Sequence, residues 1–320
     1  MTTPQLDDLD ADRVAAIDNS GWGRSFTFFQ PRNLAFWACL MLVVTGLFSF
    51  ASMLAGQYAA YRQAIVVALV LFAVYGAILA PRLVRTAFDG FILGAFIGLG
   101  FQIVEDVAYA LGSAGSQFGA SQVESAMSTV WMRMATGVSA HILYSAVFCA
   151  GLVYLLGRPA EPRKAGRGLA LMATAMLLHG VWDSMGALVR GHTALLFVLM
   201  FAVIVIALVV AIKVFAMTVP AERQFLRAIM APEVARGVLT ATELEAMCGD
   251  RKARKAFRKA GVGRQERTRA VHVLDAADEL ADELAAARGA DTDRVAFARS
   301  ELARIRDGAP PPSRDAAPTM

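Results

Sequence analysis

Asp89–Asp106 reads DGFILGAFIGLGFQIVED, and this stretch decides what kind of protein the chain is. With the residues that follow as far as Gly112, it is long and apolar enough to cross roughly 30 Å of bilayer hydrocarbon at about 1.5 Å per helical residue. Gly90, Gly94, Gly98 and Gly100 follow a small-xxx-small spacing, which lets a neighbouring helix approach closely inside a membrane. The run carries Glu105 and Asp106 near its end. A charge at mid-bilayer costs about 2.5–3.5 kcal/mol even on the mildest insertion scale, so an ionisable side chain within a span is a functional candidate.

The same apolar pattern extends through most of the chain. Of 320 residues, 57% are hydrophobic and 18% charged, with a mean hydropathy of +0.50. Soluble domains run to about 45–50% apolar and about 25% charged, so an ordinary soluble enzyme is excluded. Apolar runs near 33–56, 64–80, 89–112, 130–157, 166–188 and 193–217 predict six membrane spans, separated by stretches with turn or charge signals. The expected fold class is all-α: a polytopic helical membrane bundle over 33–217, followed by a helical cytoplasmic tail over 218–306 and a disordered tip over 307–320.

Lys and Arg set the orientation. Alternate loops carry nine on one side, among them Arg24, Arg82, Arg85 and Lys164, against Arg62 and Arg190 on the other. Both termini are therefore expected in the cytoplasm, with the bundle in the plasma membrane. Residues 1–32 carry Asp7, Asp8, Asp10, Asp12 and Asp18 and have no apolar core, so they read as a solvated arm rather than a cleaved signal peptide. Cys39, Cys149 and Cys248 are too few and too scattered for a disulfide framework or a thiolate zinc site. A transporter would want matching halves with broken helices, and no such symmetry is visible.

Few acids and histidines fall within the spans: the third contains Glu105 and Asp106, the fourth His141 together with Arg133, and the fifth His179 and Asp183, whereas the second and sixth have no acid or His. Counting along the helices from the outer surface puts Glu105 roughly 10 Å, His141 roughly 16 Å and His179 roughly 13 Å deep, one band on three helices. Asp183 lies at i+4 from His179, on the same helical face. Two imidazoles with one or two carboxylates suit Zn²⁺, with Glu105, His141 and His179 as metal ligands and a position left for water. Such an ion would polarise a peptide carbonyl and activate water for hydrolysis. The plainer alternative is structural: each His bonds a neighbouring helix, and Glu105 or Asp106 pairs with Arg133.

At these residues the chain resembles the PrsW family of intramembrane proteases. Phe88 to Tyr109 is similar to the family's second motif region, a Phe-x-x-x-Glu within a DG-x-x-x-G-x-x-x-G-x-GF run, and Phe101 and Glu105 match it. Ser139 to Ser145 resembles the third motif, in which a His is followed four residues later by a small hydroxyl residue, here His141 and Ser145. Leu178 to Asp183 resembles the fourth, a His-x-x-x-Asn/Asp. The tail around Pro232 to Leu244 is similar to the cytoplasmic tails of actinobacterial members.

The resemblance implies kinship with the CAAX prenyl proteases, a site inside the bilayer, and cleavage of membrane proteins such as anti-sigma factors. It implies a metallo- or glutamic-type endopeptidase whose catalytic residues here are Glu105, His141, His179 and Asp183. One departure stands out. The family's first motif, Glu-Glu-x-x-Lys, supplies the general base, yet no Asp or Glu occurs between Asn33 and Ala87, and the place reads Tyr61-Arg62-Gln63-Ala64-Ile65. A catalytically inactive relative that binds a membrane partner is the alternative.

Beyond Val219 the composition turns polar, with apolar residues at helical spacing. From Arg251 to Arg269 there are nine basic residues and one acid, Glu266. This run is expected to meet anionic lipid heads; a nucleic-acid partner is not, because no DNA-binding helix pair or aromatic platform accompanies the charge.

Overall fold

A computed structural model describes residues 6–22, 84–117, 119–137 and 140–309. The spans expected at 33–56 and 64–80, Cys39, the stretch from Tyr61 to Ile65 and the end of the tip lie outside these residues. The described chain is helical throughout, with one isolated bridge between Arg158 and Glu161 and no strand. It divides into two units, Phe26–Val219 and, together, Met1–Ser25 with Pro220–Met320.

In the first unit, α2 (Ala87–Ser116) starts at a capping box. Thr86 Oγ1 accepts from the Asp89 amide at 3.3 Å, and the Asp89 carboxylate accepts from the Thr86 and Arg85 amides at 3.1 and 2.9 Å. These bonds satisfy amides that a helix start leaves without partners, which matters most where no water can do so. α3 (Gln122–Thr136) and α4 (Ala140–Leu156) follow, then α5 (Ala165–Val189) and α6 (Thr193–Ala235). By length and composition α2 and α6 can each cross a membrane. α6 shows lipid-type apolar residues on its outside, such as Phe201 and Val198, 71% and 64% exposed.

The expected continuous span over 130–157 is instead two helices, α3 and α4, bent by 46°, and the pair would make a third crossing if taken as one. The first of the two ends at Gly137. It caps α3 by donating its N–H to the Arg133 carbonyl at 2.6 Å, and its own carbonyl accepts from Ala140 at 2.9 Å. Gly is about 1 kcal/mol poorer than Ala inside a helix, and here the run has its weakest point. Likewise α6 runs well beyond the expected end at Met217, through Pro220 and Pro232.

Among the described helices of its unit α4 is the central one. Ala140, Tyr144, Val147 and Ala150 are buried against α5 and α6, and α2 lies along its other side. Along that contact Gly90, Gly94 and Gly98 face α4 so closely that an added Cβ would stand 2.9, 2.3 and 2.1 Å from the carbonyl oxygens of Cys149, Ser145 and His141. Gly151 and Gly168 make the corresponding close approach between α4 and α5.

The second unit holds α1 (Leu6–Ser20), the end of α6, α7 (Ala241–Cys248), α8 (Arg251–Ala260), α9 (Arg264–Ala286) and α10 (Asp293–Asp307). Its core joins Ile229, Met230, Leu280, Leu284, Val295 and Leu302, and Ala16 and Ile17 of α1 belong to it. The N-terminal segment is thus no solvated arm. Its acids conceal an inward face of Arg13, Ala16 and Ile17 at i, i+3 and i+4.

Arg13 is 1% exposed and donates to the Ile229 carbonyl and to Glu233 Oε1, each at 2.7 Å. Glu233, fully buried, also accepts from Arg299 at 2.7 and 2.9 Å and from Arg236 at 3.1 Å. Burial alone would raise the Glu233 carboxyl; hydrogen bonds and charge from Arg299 and Arg13 outweigh it and hold the group below its ordinary value. Burial in turn lowers Arg13.

A carboxyl lowered by folding contributes stability that is complete above its unfolded pKa, near 4.3, and disappears as pH falls through the lower folded value. Release of α1, followed by hydrogen exchange over residues 6–20, should therefore begin only below about pH 4.3. Glu233→Gln should remove that acid limb and destabilise the unit at neutral pH by about 3–5 kcal/mol, since it strands a buried Arg13.

Candidate functional site

Gln102, Glu105, Asp106 and Tyr109 stand at i, i+3, i+4 and i+7 on α2, so one face of an otherwise apolar helix is polar. Arg133, from the last turn of α3, meets that face. Its Nη2 donates to Glu105 Oε2 and its Nε to Asp106 Oδ1, both at 2.5 Å, and its guanidinium lies 4.1 Å from the centroid of the Tyr109 ring. Gln102 Nε2 adds a bond of 2.7 Å to Asp106 Oδ1. One cation thus serves two neighbouring carboxylates.

His141, in the first turn of α4 and 5% exposed, reaches the same Glu105 oxygen, with its Nε2 at 2.9 Å. A carboxylate only accepts, so with Glu105 ionised the imidazole N–H is the donor. The ring packs 4.8 Å from Phe101 and 4.9 Å from His179, centroid to centroid. His179 on α5 is held in turn by Asp183, with Nδ1 and Oδ2 3.0 Å apart at i+4. In the neutral ring this contact places the proton on Nδ1 and leaves the Nε2 lone pair available.

The structure therefore brings Glu105, His141, His179 and Asp183, from α2, α4 and α5, into one continuous chain of contacts, and Arg133 and Asp106 join it at the Glu105 end. Asp183 forms the outer end, 59% exposed at its side chain. Beside His179 opens a cavity of about 500 Å³, lined by apolar residues including Ile97, Phe148 and Met176 and by Tyr144 and Ser145. Apolar walls with a few convergent polar groups are what a ligand site requires. The Tyr144 hydroxyl and Gln102 Oε1 are buried with no hydrogen-bond partner among the described residues.

The donors suit a zinc ion in kind, one carboxylate and two imidazoles, and the first two already stand side by side. Among the described residues no three His, Cys, Asp or Glu side chains are gathered as closely as a bound ion gathers them. Glu105 is engaged by Arg133, and His179 by Asp183.

Sequence reasoning placed Arg133 against one acid; the structure gives it both. It passed over Gln102, Tyr109 and Tyr144 altogether. The first two were signalled by their i, i+3, i+4, i+7 register with Glu105 and Asp106. Nothing in the sequence singled out Tyr144.

A family model described as PrsW family intramembrane metalloprotease matches residues 33–211, more than half of the chain. No curated protein and no solved structure matches it.

The site depends on the α2–α4 approach, since Gly98 lies against the backbone of His141 itself. Gly98→Ala should cost about 1–3 kcal/mol or more, read as a drop of several degrees in the thermal unfolding of the purified protein. Gly112→Ala, where an added Cβ meets nothing within 4 Å, should be neutral or slightly stabilising.

Proposed function

Because the chain belongs to the PrsW family of intramembrane proteases, we propose that it hydrolyses a peptide bond of a membrane protein substrate, such as an anti-sigma factor, at the cluster of Glu105, His141 and His179. One observation carries the reading: a carboxylate and two imidazoles from three separate helices converge beside an apolar cavity. In an apolar bundle such groups bear a heavy desolvation penalty and are retained for chemistry.

The roles follow from the contacts. Glu105, His141 and His179 would hold Zn²⁺, which when bound polarises the scissile carbonyl. Asp183 fixes the tautomer and the orientation of His179. Arg133 supplies the countercharge and orients the carboxylates of Glu105 and Asp106. Asp106, outside this ligand set and held by Arg133 and Gln102, takes the place of the family's missing general base. The cavity beside His179, with Ile97, Phe148 and Met176 in its lining, accepts apolar substrate side chains.

A second reading has its own support. With no acid between Asn33 and Ala87, and with Arg133 engaging both Glu105 and Asp106, the chain equally suits a catalytically inactive relative that binds a membrane partner. The orientation proposed is both termini in the cytoplasm and the bundle in the plasma membrane. Its supports are the Lys and Arg bias of the loops and the folding of α1 with the C-terminal tail, which requires both ends on one side.

For the protein reconstituted with a membrane substrate, Glu105→Gln or His141→Ala should reduce cleavage by about 10²–10⁴-fold, and elemental analysis should find one zinc per wild-type chain. Protein that holds no zinc, with a Glu105→Gln variant that fully supports its biological role, would establish the binding reading instead. Alkaline phosphatase fused to either terminus should be inactive, whereas green fluorescent protein fused to either should fluoresce; opposite results at the two ends would break the orientation.

A further inference from the structure

The basic run of the tail is sorted by the fold into two sets. Arg254 donates to the Met247 carbonyl at 3.1 Å, and Arg269 packs so close to Gly308 that a Cβ there would stand 2.6 Å from its Nη2. Those cations are structural. Lys255, Arg258 and Lys259 of α8 and Arg264 and Arg267 of α9 instead line one groove of about 700 Å³, with Thr268, Val271 and His272. The turn through Gly261 and Gly263 closes it, Gly263 standing at φ +94, where a side chain would be strained.

Among the described residues no carboxylate answers this charge. Glu266, the one acid of the stretch, bonds the Val262 amide at 2.6 Å. Lys255, Arg258, Lys259 and Arg264 have no side-chain partner among the described residues, and α8 buries no residue at all. Like charges at i, i+3 and i+4 weaken a helix, so a fold that aims them into one groove is relieved by a bound anion. Guanidinium forks match phosphate oxygens two at a time, and a cavity of this size exceeds what one phosphate fills.

We propose that the groove between α8 and α9 binds the headgroup of an anionic phospholipid that carries two phosphates. The groove is borne on a chain whose α6 is continuous with an apolar span, so headgroups are presented at high local concentration. The lining has no Phe, Tyr or Trp on which a nucleobase would stack. Whereas a diffuse basic surface responds to charge density alone, five cations around one groove respond to how the phosphates are joined.

The test uses the full chain in lipid nanodiscs, with hydrogen exchange read over residues 251–272. Exchange should slow in phosphatidylcholine discs containing cardiolipin and remain unchanged in pure phosphatidylcholine. The triple variant K255Q/R258Q/R264Q should raise the cardiolipin fraction needed for half-protection by about five-fold per cation removed, with exchange over residues 273–307 unaltered as evidence of folding. Arg288→Gln with Arg294→Gln, exposed cations elsewhere in the unit, should change nothing. Three results would overturn the proposal: no slowing with cardiolipin; equal slowing by phosphatidylglycerol at matched charge, which means diffuse attraction; or equal slowing by free pyrophosphate in pure phosphatidylcholine, which means a soluble ligand.

Discussion

A single guanidinium held between two adjacent carboxylates is the interaction on which the membrane unit depends. Glu105 and Asp106 are consecutive on a helix that is apolar over most of its length, and neither could remain there alone, because an uncompensated charge in hydrocarbon costs several kcal/mol. Arg133, which reaches both, stands in the last turn of α3, just before that helix ends at Gly137. The bend is thus tied to the electrostatics: a straight helix through Gly137 would carry Arg133 along a different line.

Close packing does the rest. Membrane helices gain little from apolar burial against lipid, so they associate through small residues and a few polar contacts. The three glycines of α2 bring its backbone against that of α4, and the last of them touches the residue that bears the imidazole. His141 can bond Glu105 at 2.9 Å because the two helix axes are that close.

What could be read from the sequence follows a physical line. The apolar runs and the glycine spacing were legible because they are local and periodic, and so were Glu105, His141 and His179, because ionisable residues are rare in a span. The break at Gly137 was not legible, because one glycine in an apolar run is common. The role of α1 was hidden for the opposite reason. Its acids dominate the composition, whereas three residues, Arg13, Ala16 and Ile17, determine where it packs. A buried arginine reads as a surface residue until its partner Glu233, 220 positions away, is known.

That long-range pair constrains topology more tightly than any loop charge does. Arg13 bonds Glu233 inside one core, so the chain leaves a folded unit before its apolar region and returns to the same unit after it. A polypeptide that does so must cross the bilayer an even number of times in between. Six crossings satisfy this and five do not, which bears on the bent pair α3–α4. If the bent pair enters and leaves by the same face instead of crossing, the number of the other crossings must itself be even. Exposed Val123, Trp131 and Met132 give α3 an apolar flank that either arrangement would cover with lipid. The parity set by Arg13 and Glu233 therefore couples the path of the helix that carries the site's countercharge to an ion pair outside the membrane unit.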